Sequence, residues 1–420
     1  MAGHVRPSDL RAAARLATQA TLGTSGIVES VHQSVWRTLG APGGAQSDRT
    51  RGLTGLVYRC VNGITQAVGA GLDTALARLE PLLGAMDAAP ADSTQRLAVL
   101  AALNGVIGDR LQADANPLAL PMTLQFDGRT IDPDAPPPAG AVGGRLVLLV
   151  HGLCMNDRQW QTWRTAADGS LQPGLDHGQA LAQAQGFTPL YLRYNTGRPI
   201  CDNGRELSAL LQRLLAAWPV PVDDLVVVAH SMGGLVTRSA VHQAQQAGQD
   251  WHQRLTRIVF LGTPHHGAPL ERAGNWVDVL LGSTPWSAPF GRLARLRSSG
   301  ITDLRHGTLL AGDRAGGDRF ARHADRRLPV PLPLPAGVAC LAVAATLAGR
   351  RSRVAERLLG DGLVPLRSAL GQHDEPARAL AFAAHAQKIV YRTGHMQLLS
   401  DPAVGRIVSD WLAQHPTARH

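Results

Sequence analysis

The chain has 420 residues, of which 45% are hydrophobic, 17% are charged and 4% are aromatic. This length accommodates one large domain with additions or two to three domains. The composition excludes the charge-rich, apolar-poor class of disordered proteins. Of the formal net charge of +9, an excess of +8 lies between Arg292 and Arg357, where 13 arginines accompany 5 acidic residues. Phe320 is the only aromatic residue there and no nucleic-acid motif accompanies the charge, so we predict a solvated surface and no nucleic-acid partner; an anion-binding face is the alternative.

The cysteines and the apolar segments favour a cytoplasmic protein. The four cysteines are widely spaced and predict neither a zinc site nor a disulfide framework. The beginning of the chain has no apolar run of the length that a signal peptide needs. The charge-free stretch Leu328–Gly349 is interrupted by four prolines in its first half. The remaining stretch of about 14 residues is too short to cross a bilayer as a helix.

Residues 1–115 are predicted to form a helical region. Apolar residues recur at steps of three and four from Leu53 to Leu83, with shorter periodic segments from Ile27 to Leu39 and from Leu97 to Leu111. We expect these helices to pack on the rest of the protein. The alternative is peripheral contact with a membrane or a lipid granule, although the polar face is not rich in the basic residues that such helices usually carry.

Residues 116–420 are predicted to form an α/β domain. A period of two from Leu118 to Phe126 predicts a strand that ends at the turn Asp127-Gly128. Strands and helices then alternate, which implies a mostly parallel sheet with helices on both faces. The predicted elements are the strands RLVLLV, TPLYLRYN, DLVVVA, RIVFLG, Val338–Leu347 and QKIVYRTG, and the helices Arg205–Ala217, Gly234–Gln246 and Pro402–Ala413.

The segment VVVAHSMGGLVTRSA predicts a catalytic nucleophile. A β run ends at Ala229 and a helix begins near Gly233, so Ser231 lies on a very short strand-to-helix turn. Such an elbow strains the serine backbone and exposes its hydroxyl above the sheet. Ala229 replaces the first glycine of the G-x-S-x-G pattern and adds only a methyl group. A serine that merely caps the helix is the alternative.

The segment LVLLVHGLCMNDRQW predicts an oxyanion hole. A strand leads directly into His151-Gly152, and the sharp turn there can direct the N–H of Leu153 toward a carbonyl held over Ser231. The N–H of Met232 supplies the second donor. We interpret His151 as a structural brace rather than a proton carrier.

The base and the acid are predicted from the last two strands. His395 follows the β run QKIVY and a glycine, which places it at the same sheet edge as Ser231. The acid should lie between nucleophile and base in the chain. Asp361 follows a strand and is flanked by glycines that permit a tight turn; Asp325 and Asp374 are the competing candidates.

The motifs LVHGL, AHSMGG, FLGTPHHGAPLER, ITDLRHG, GDGLVP and TGHMQLL together resemble the α/β-hydrolase superfamily. Within it they are similar to bacterial lipases and esterases related to GPI inositol-deacylase-like hydrolases. The resemblance covers about residues 145–415. It implies an eight-stranded, mostly parallel sheet, the triad Ser231, Asp361 and His395, and oxyanion donors at Leu153 and Met232.

The segment from about residue 269 to 334 falls where such lipases carry a lid. It contains an apolar set suited to covering an acyl pocket, and we expect Trp276, Trp286 and Phe290 to contact substrate; ordinary core of a cap subdomain is the alternative. Asp401 lies near His395, but no second carboxylate completes a calcium pair. Adjacent side chains at His265 and His266 diverge too much to chelate one zinc ion easily. We therefore predict no metal and no cofactor.

The sequence thus favours a serine hydrolase that cleaves carboxylic esters, small or lipid-like, through an acyl-Ser231 intermediate. Acyl transfer or thioester hydrolysis on the same triad is the alternative within enzymes, because the pocket and not the motif selects the acceptor. A non-catalytic scaffold tethered through its N-terminal helices is the alternative outside enzymes.

Overall fold

The computed structural model describes residues 94–161, 163–165, 171–268, 298–314, 330–349 and 360–415. The apolar stripe from Leu53 to Leu83 and the predicted lid residues Trp276, Trp286 and Phe290 lie outside these ranges. None of the helices within them is long and apolar enough to span a bilayer.

The strands of the described residues build one large sheet and one small hairpin. In chain order they are β1 (Thr123–Phe126), β2 (Arg129–Ile131), β3 (Arg145–Val150), β4 (Trp163–Thr165), β5 (Leu171–Pro173), β6 (Thr188–Arg193), β7 (Asp224–His230), β8 (Leu255–Leu261), β9 (Ala339–Thr346) and β10 (Gln387–Tyr391). Eight strands form the sheet β10-β9-β8-β7-β3-β6-β1-β2, and β4 pairs with β5. The strands from β10 to β6 run parallel, whereas β1 is antiparallel to both of its neighbours. The predicted mostly parallel eight-stranded sheet is therefore confirmed.

The central strands are apolar because both of their faces are covered. In β7 every residue is buried, and in β3 every residue after Arg145 is buried. Parallel strands that carry helices on both faces have this continuous apolar pattern. The charge-free runs in the sequence thus correspond to the middle of the sheet, where they position the turns that follow β3, β7 and β8.

Seven α-helices lie within the described residues. They are α1 (Thr94–Ala113), α2 (His177–Gln185), α3 (Ile200–Ala217), α4 (Met232–Gln246), α5 (Ser299–His306), α6 (Leu366–Ala369) and α7 (Pro402–Gln414). Leu181 of α2 and Val404 of α7 share one buried cluster with Val147 and Val259. On the opposite face, α4 approaches the sheet so closely that a Cβ on Gly234 would lie 2.8 Å from Cδ1 of Phe260. Helices therefore cover both faces, as the sequence predicts.

Helix α1 packs on the sheet domain. Residues Leu97–Ala113 belong to the same compact unit as the described strands of the sheet. A Cβ on Gly105 would lie 2.2 Å from Sγ of Cys154, so a glycine is required where α1 meets the turn after β3. Ser298 Oγ also donates a hydrogen bond of 2.7 Å to the carbonyl of Gly105. The boundary after residue 115 stays a prediction, but the helix before it from Leu97 onward is part of this unit.

The strand predicted from Leu118 to Phe126 is shorter in the structure and begins at Thr123. The N–H of Leu120 donates to the side chain of Asn104 at 2.9 Å and so is not available to a neighbouring strand. Pro121 has no N–H to donate. The alternating apolar pattern therefore begins before the strand, in residues that are buried but do not pair with a neighbouring strand. The predicted Asp127-Gly128 turn is confirmed: its residues have φ of 47° and 73°, and it connects β1 with β2.

Candidate active site

Ser231 lies on a strained turn between β7 and α4. Its backbone has φ of 53° and ψ of −123°, a combination that costs a non-glycine residue about 1–3 kcal/mol. The main-chain N–H of Ser231 donates to the carbonyl of Leu261 at the end of β8, at 2.9 Å. This hydrogen bond anchors the elbow to the neighbouring strand, which helps to hold the strained conformation.

Two glycines allow the backbone to close around this elbow. A Cβ on Gly233 would lie 2.4 Å from the carbonyl oxygen of Val150, where β3 ends. A Cβ on Gly152 would lie 2.9 Å from the Cβ of Ser231. Real Cβ atoms do not approach other atoms this closely, so neither position accepts a side chain without a shift. The His151-Gly152 turn thus lies directly beside the serine, as the sequence predicts.

The predicted oxyanion donors are the main-chain N–H groups of the residues that follow Gly152 and Ser231. Leu153 follows Gly152, and Met232 follows Ser231 as the first residue of α4. Both residues are buried. Within the described ranges neither main-chain N–H has a hydrogen-bond acceptor. Two unused donors beside a serine are able to stabilise an oxyanion, and their assignment to that role stays a prediction.

Asp361 and His395 form a buried pair. Oδ2 of Asp361 lies 2.7 Å from Nδ1 of His395, and both side chains are 1% exposed. The N–H of His395 also donates to the main-chain carbonyl of Asp361 at 3.0 Å. Since a carboxylate only accepts, Nδ1 carries the proton and Nε2 is the nitrogen that can take one up. The structure therefore brings the predicted acid and base together in the geometry of an oriented imidazole.

Asp361 is itself held by a tight turn. Its Oδ1 accepts hydrogen bonds from the N–H groups of Leu363 at 2.9 Å and Val364 at 2.7 Å. The flanking Gly360 and Gly362 have φ of 46° and 95°, which side chains rarely adopt. One oxygen is thus fixed by the backbone while the other points to the imidazole. Of the competing acids, Asp374 has an 87% exposed side chain paired with an arginine, and Asp325 lies outside the described residues.

The end of β8 lies between Ser231 and His395. Leu261 accepts the hydrogen bond from the N–H of Ser231. A Cβ on the next residue, Gly262, would lie 3.2 Å from Nδ1 and Cε1 of His395. The elbow and the imidazole therefore contact consecutive residues of one strand end, which places both on the same edge of the sheet.

His151 has the contacts of a structural residue. Its ring stacks on Tyr194 at a centroid distance of 4.5 Å, and its Nδ1 lies 3.0 Å from the carbonyl of Gly152. The hydroxyl of Tyr194 donates to the carbonyl of His151 at 2.8 Å. Burial lowers the pKa of His151 to about 4, so the ring is neutral near pH 7. These contacts support the interpretation of His151 as a brace for the oxyanion turn.

His230, immediately before Ser231, was not singled out by the sequence. Its Nε2 lies 3.1 Å from the main-chain carbonyl of His395, and the two imidazoles are 4.6 Å apart. Burial, together with the neighbouring His395, keeps the pKa of His230 well below its ordinary value. The only sequence signal is its place beside the serine, because its partner lies 165 residues away.

The two histidines after β8 point to different neighbours. The ring of His265 packs at 4.8 Å from Phe260, and Arg238 approaches its Nδ1 at 3.4 Å. The ring of His266 instead faces His373 at 5.0 Å. Among the described residues, no group of three or more histidine, cysteine, aspartate or glutamate side chains is arranged to bind a metal. The two side chains thus diverge, as the sequence predicts.

The arrangement defines the class of protein. A mostly parallel eight-stranded sheet, covered by helices and carrying a serine on a strained turn between a strand and a helix, is the α/β-hydrolase fold. Residues 141–284, about a third of the chain, match the family model described as the PGAP1-like alpha/beta domain. The fold is thus that of the α/β-hydrolase superfamily, in agreement with the resemblance seen in the motifs.

The solved structures to which the chain is similar are distant in sequence. Lipase B of Aspergillus fumigatus is 11% identical over 71% of this chain, with a TM-score of 0.40, and the chain spans 57% of that lipase. A thermophilic esterase is 13% identical over 65% of this chain and 92% of its own, with a TM-score of 0.36. The RedJ thioesterase of Streptomyces coelicolor is 15% identical over 69% of this chain and 98% of its own, with a TM-score of 0.33. No curated protein matches the chain in sequence.

Proposed function

We propose that the chain is a serine hydrolase that cleaves carboxylic esters through an acyl intermediate on Ser231. The observation that carries the proposal is the buried pair of Asp361 and His395 beside a strained serine elbow. Strain of this kind persists where the surrounding structure enforces it and is typical of functional sites. Folding alone does not require a serine at that position.

In the proposed first half-reaction, Oγ of Ser231 attacks the ester carbonyl and Nε2 of His395 takes the hydroxyl proton. The carbonyl oxygen becomes an oxyanion, which accepts hydrogen bonds from the N–H groups of Leu153 and Met232. Asp361 keeps the imidazole oriented and stabilises its positive charge. His395 then returns the proton to the alkoxide as the C–O bond breaks, which leaves an acyl-serine and a free alcohol.

In the second half-reaction, water repeats these steps. His395 takes a proton from the water, the hydroxide attacks the acyl-serine, and the same two N–H groups stabilise the new oxyanion. Ser231 recovers its proton from the imidazolium and the carboxylic acid leaves. Every proton that is taken from a nucleophile is returned to a leaving group, so the enzyme ends in its starting state.

The experiment that tests this proposal is covalent labelling with a fluorophosphonate probe. We expect the wild-type chain to be labelled on Ser231 and the Ser231→Ala variant to remain unlabelled at an unchanged melting temperature. A panel of p-nitrophenyl esters from acetyl to palmitoyl then measures the preferred acyl length. Absence of label from folded wild-type protein would contradict the proposal and favour a non-catalytic scaffold.

A further inference from the structure

The inference concerns His230 and rests on the proposed function of Ser231 and His395. His230 is 0% exposed and ends the strand that carries the nucleophile. Its imidazole lies against the ring of His395 with an interplanar angle of 47°. Neither half-reaction uses this side chain, yet it contacts the residues on which both depend.

The hydrogen bond to His395 fixes the tautomer of His230. A main-chain carbonyl only accepts, so Nε2 of His230, at 3.1 Å from that carbonyl, must carry a proton. With a pKa well below its ordinary value, the ring is neutral and Nδ1 is unprotonated. Nδ1 has no hydrogen-bond partner among the described residues, and a Cβ on Gly152 would lie 3.2 Å from it. The one hydrogen bond that His230 donates therefore goes to the main chain of His395, the proposed base.

Three of the hydrogen bonds of His395 define its position. Two of them, from its N–H and from its Nδ1, go to Asp361. The third is accepted by its carbonyl from His230, the residue adjacent to the nucleophile. Asp361 thus sets the orientation of the imidazole, whereas His230 ties the loop of the base to the strand of the nucleophile.

We propose that His230 is a positioning residue that sets the distance between Nε2 of His395 and Oγ of Ser231 through its hydrogen bond to the carbonyl of His395. Proton transfer requires the two atoms within hydrogen-bond reach, and a displacement of about 1 Å can cost about 100-fold in rate. Loss of the donor therefore lowers kcat. KM should stay near its wild-type value, because the proposed role of His230 is to position the base and not to bind the substrate.

A matched pair of variants tests the proposal. His230→Gln keeps an N–H donor near the position of Nε2, whereas His230→Met has a similar length and no donor. For the Met variant we expect a fall of about 10-fold to 100-fold in kcat and in the rate of fluorophosphonate labelling, with little change in KM. The Gln variant should recover most of both rates. His230→Phe replaces the Met variant if that protein does not fold.

Two results overturn the proposal. Wild-type kcat in the donor-free variant shows that the hydrogen bond does not position the base. Equal losses of kcat in the Gln and donor-free variants, with equal losses of melting temperature, indicate a packing role only. A wild-type chain that is not labelled contradicts the proposed hydrolase function itself, so the two failures are distinguishable.

Discussion

Asp361 contacts His395 twice, through its carboxylate at 2.7 Å from Nδ1 and through its carbonyl at 3.0 Å from the main-chain N–H. We predict that Asp361→Asn lowers kcat by about 10⁴-fold if it acts as the triad acid, because the amide favours the wrong tautomer and leaves the imidazolium uncompensated. The change is measured with p-nitrophenyl butyrate. Since the main-chain hydrogen bond remains, the fold should be retained.

Asp374→Asn is the matched control for this substitution. Its side chain is 87% exposed and its pairing with Arg367 is on the surface, where such ion pairs contribute little to stability. We expect wild-type activity from the control. Full activity in the Asp361 variant would move the acid role to another carboxylate.

Gly152 is predicted to be essential for turnover. In the Gly152→Ala variant the new Cβ would lie 2.9 Å from the Cβ of Ser231, so the turn or the elbow must move. A displaced Leu153 N–H loses its alignment with the oxyanion, and we expect kcat to fall by about 100-fold. Gly140→Ala is the control, because nothing lies within 4 Å of a Cβ there. Comparable activity of both variants would contradict the proposed oxyanion turn.

Acidification should destabilise the protein through its buried histidines. The pKa of His151 is about 4 in the fold and 6.5 as the ordinary value, so the unfolded chain binds more protons between these pH values. Above pH 6.5 the ring is neutral in both states and the free energy of unfolding is at its full value. As the pH falls from 6.5 toward 4, protonation of the unfolded chain lowers the free energy of unfolding. The shift corresponds to about 3 kcal/mol for this one residue.

The test of this contribution is the pH dependence of the melting temperature between pH 7 and 4.5. His151→Phe keeps a ring against Tyr194 but has no group to protonate, so its melting temperature should fall less steeply on acidification. His385→Phe at an exposed position is the control. Parallel curves for wild type and the His151 variant would show that His151 does not contribute to acid sensitivity.

The sequence predicts the strands of the sheet better than the short helix α2 or the contact between His230 and His395, and the reason is physical. Charge-free runs such as that of β7 reflect burial on both faces, and this burial is visible in the sequence of the strand alone. Helix α2 has only nine residues, too few to show a convincing period, although Asp176 caps it by accepting from the N–H of Gly178. The glycines around Asp361 predict its turn locally. The contact of His230 with His395 depends on tertiary structure and has no such local signal.

Removal of residues 1–115 is predicted to damage the sheet domain. Such a chain loses Leu97–Ala113, whose buried apolar side chains include Leu97, Val106 and Leu111. Their partners would become an exposed apolar surface, which promotes aggregation. It also loses the contact of Gly105 with Cys154, the residue after the proposed oxyanion donor Leu153, so any folded fraction should have reduced kcat.

A chain that begins at Thr94 is the matched comparison, because it keeps α1 and removes only the residues before it. We expect it to react with the fluorophosphonate probe and to aggregate less in size-exclusion chromatography than the chain that begins at Asn116, because it keeps the buried side chains of α1. Binding of residues 1–93 to liposomes would support a membrane role for that segment without changing this expectation. A soluble, fully active chain from Asn116 would show that α1 supports neither the core nor the oxyanion turn.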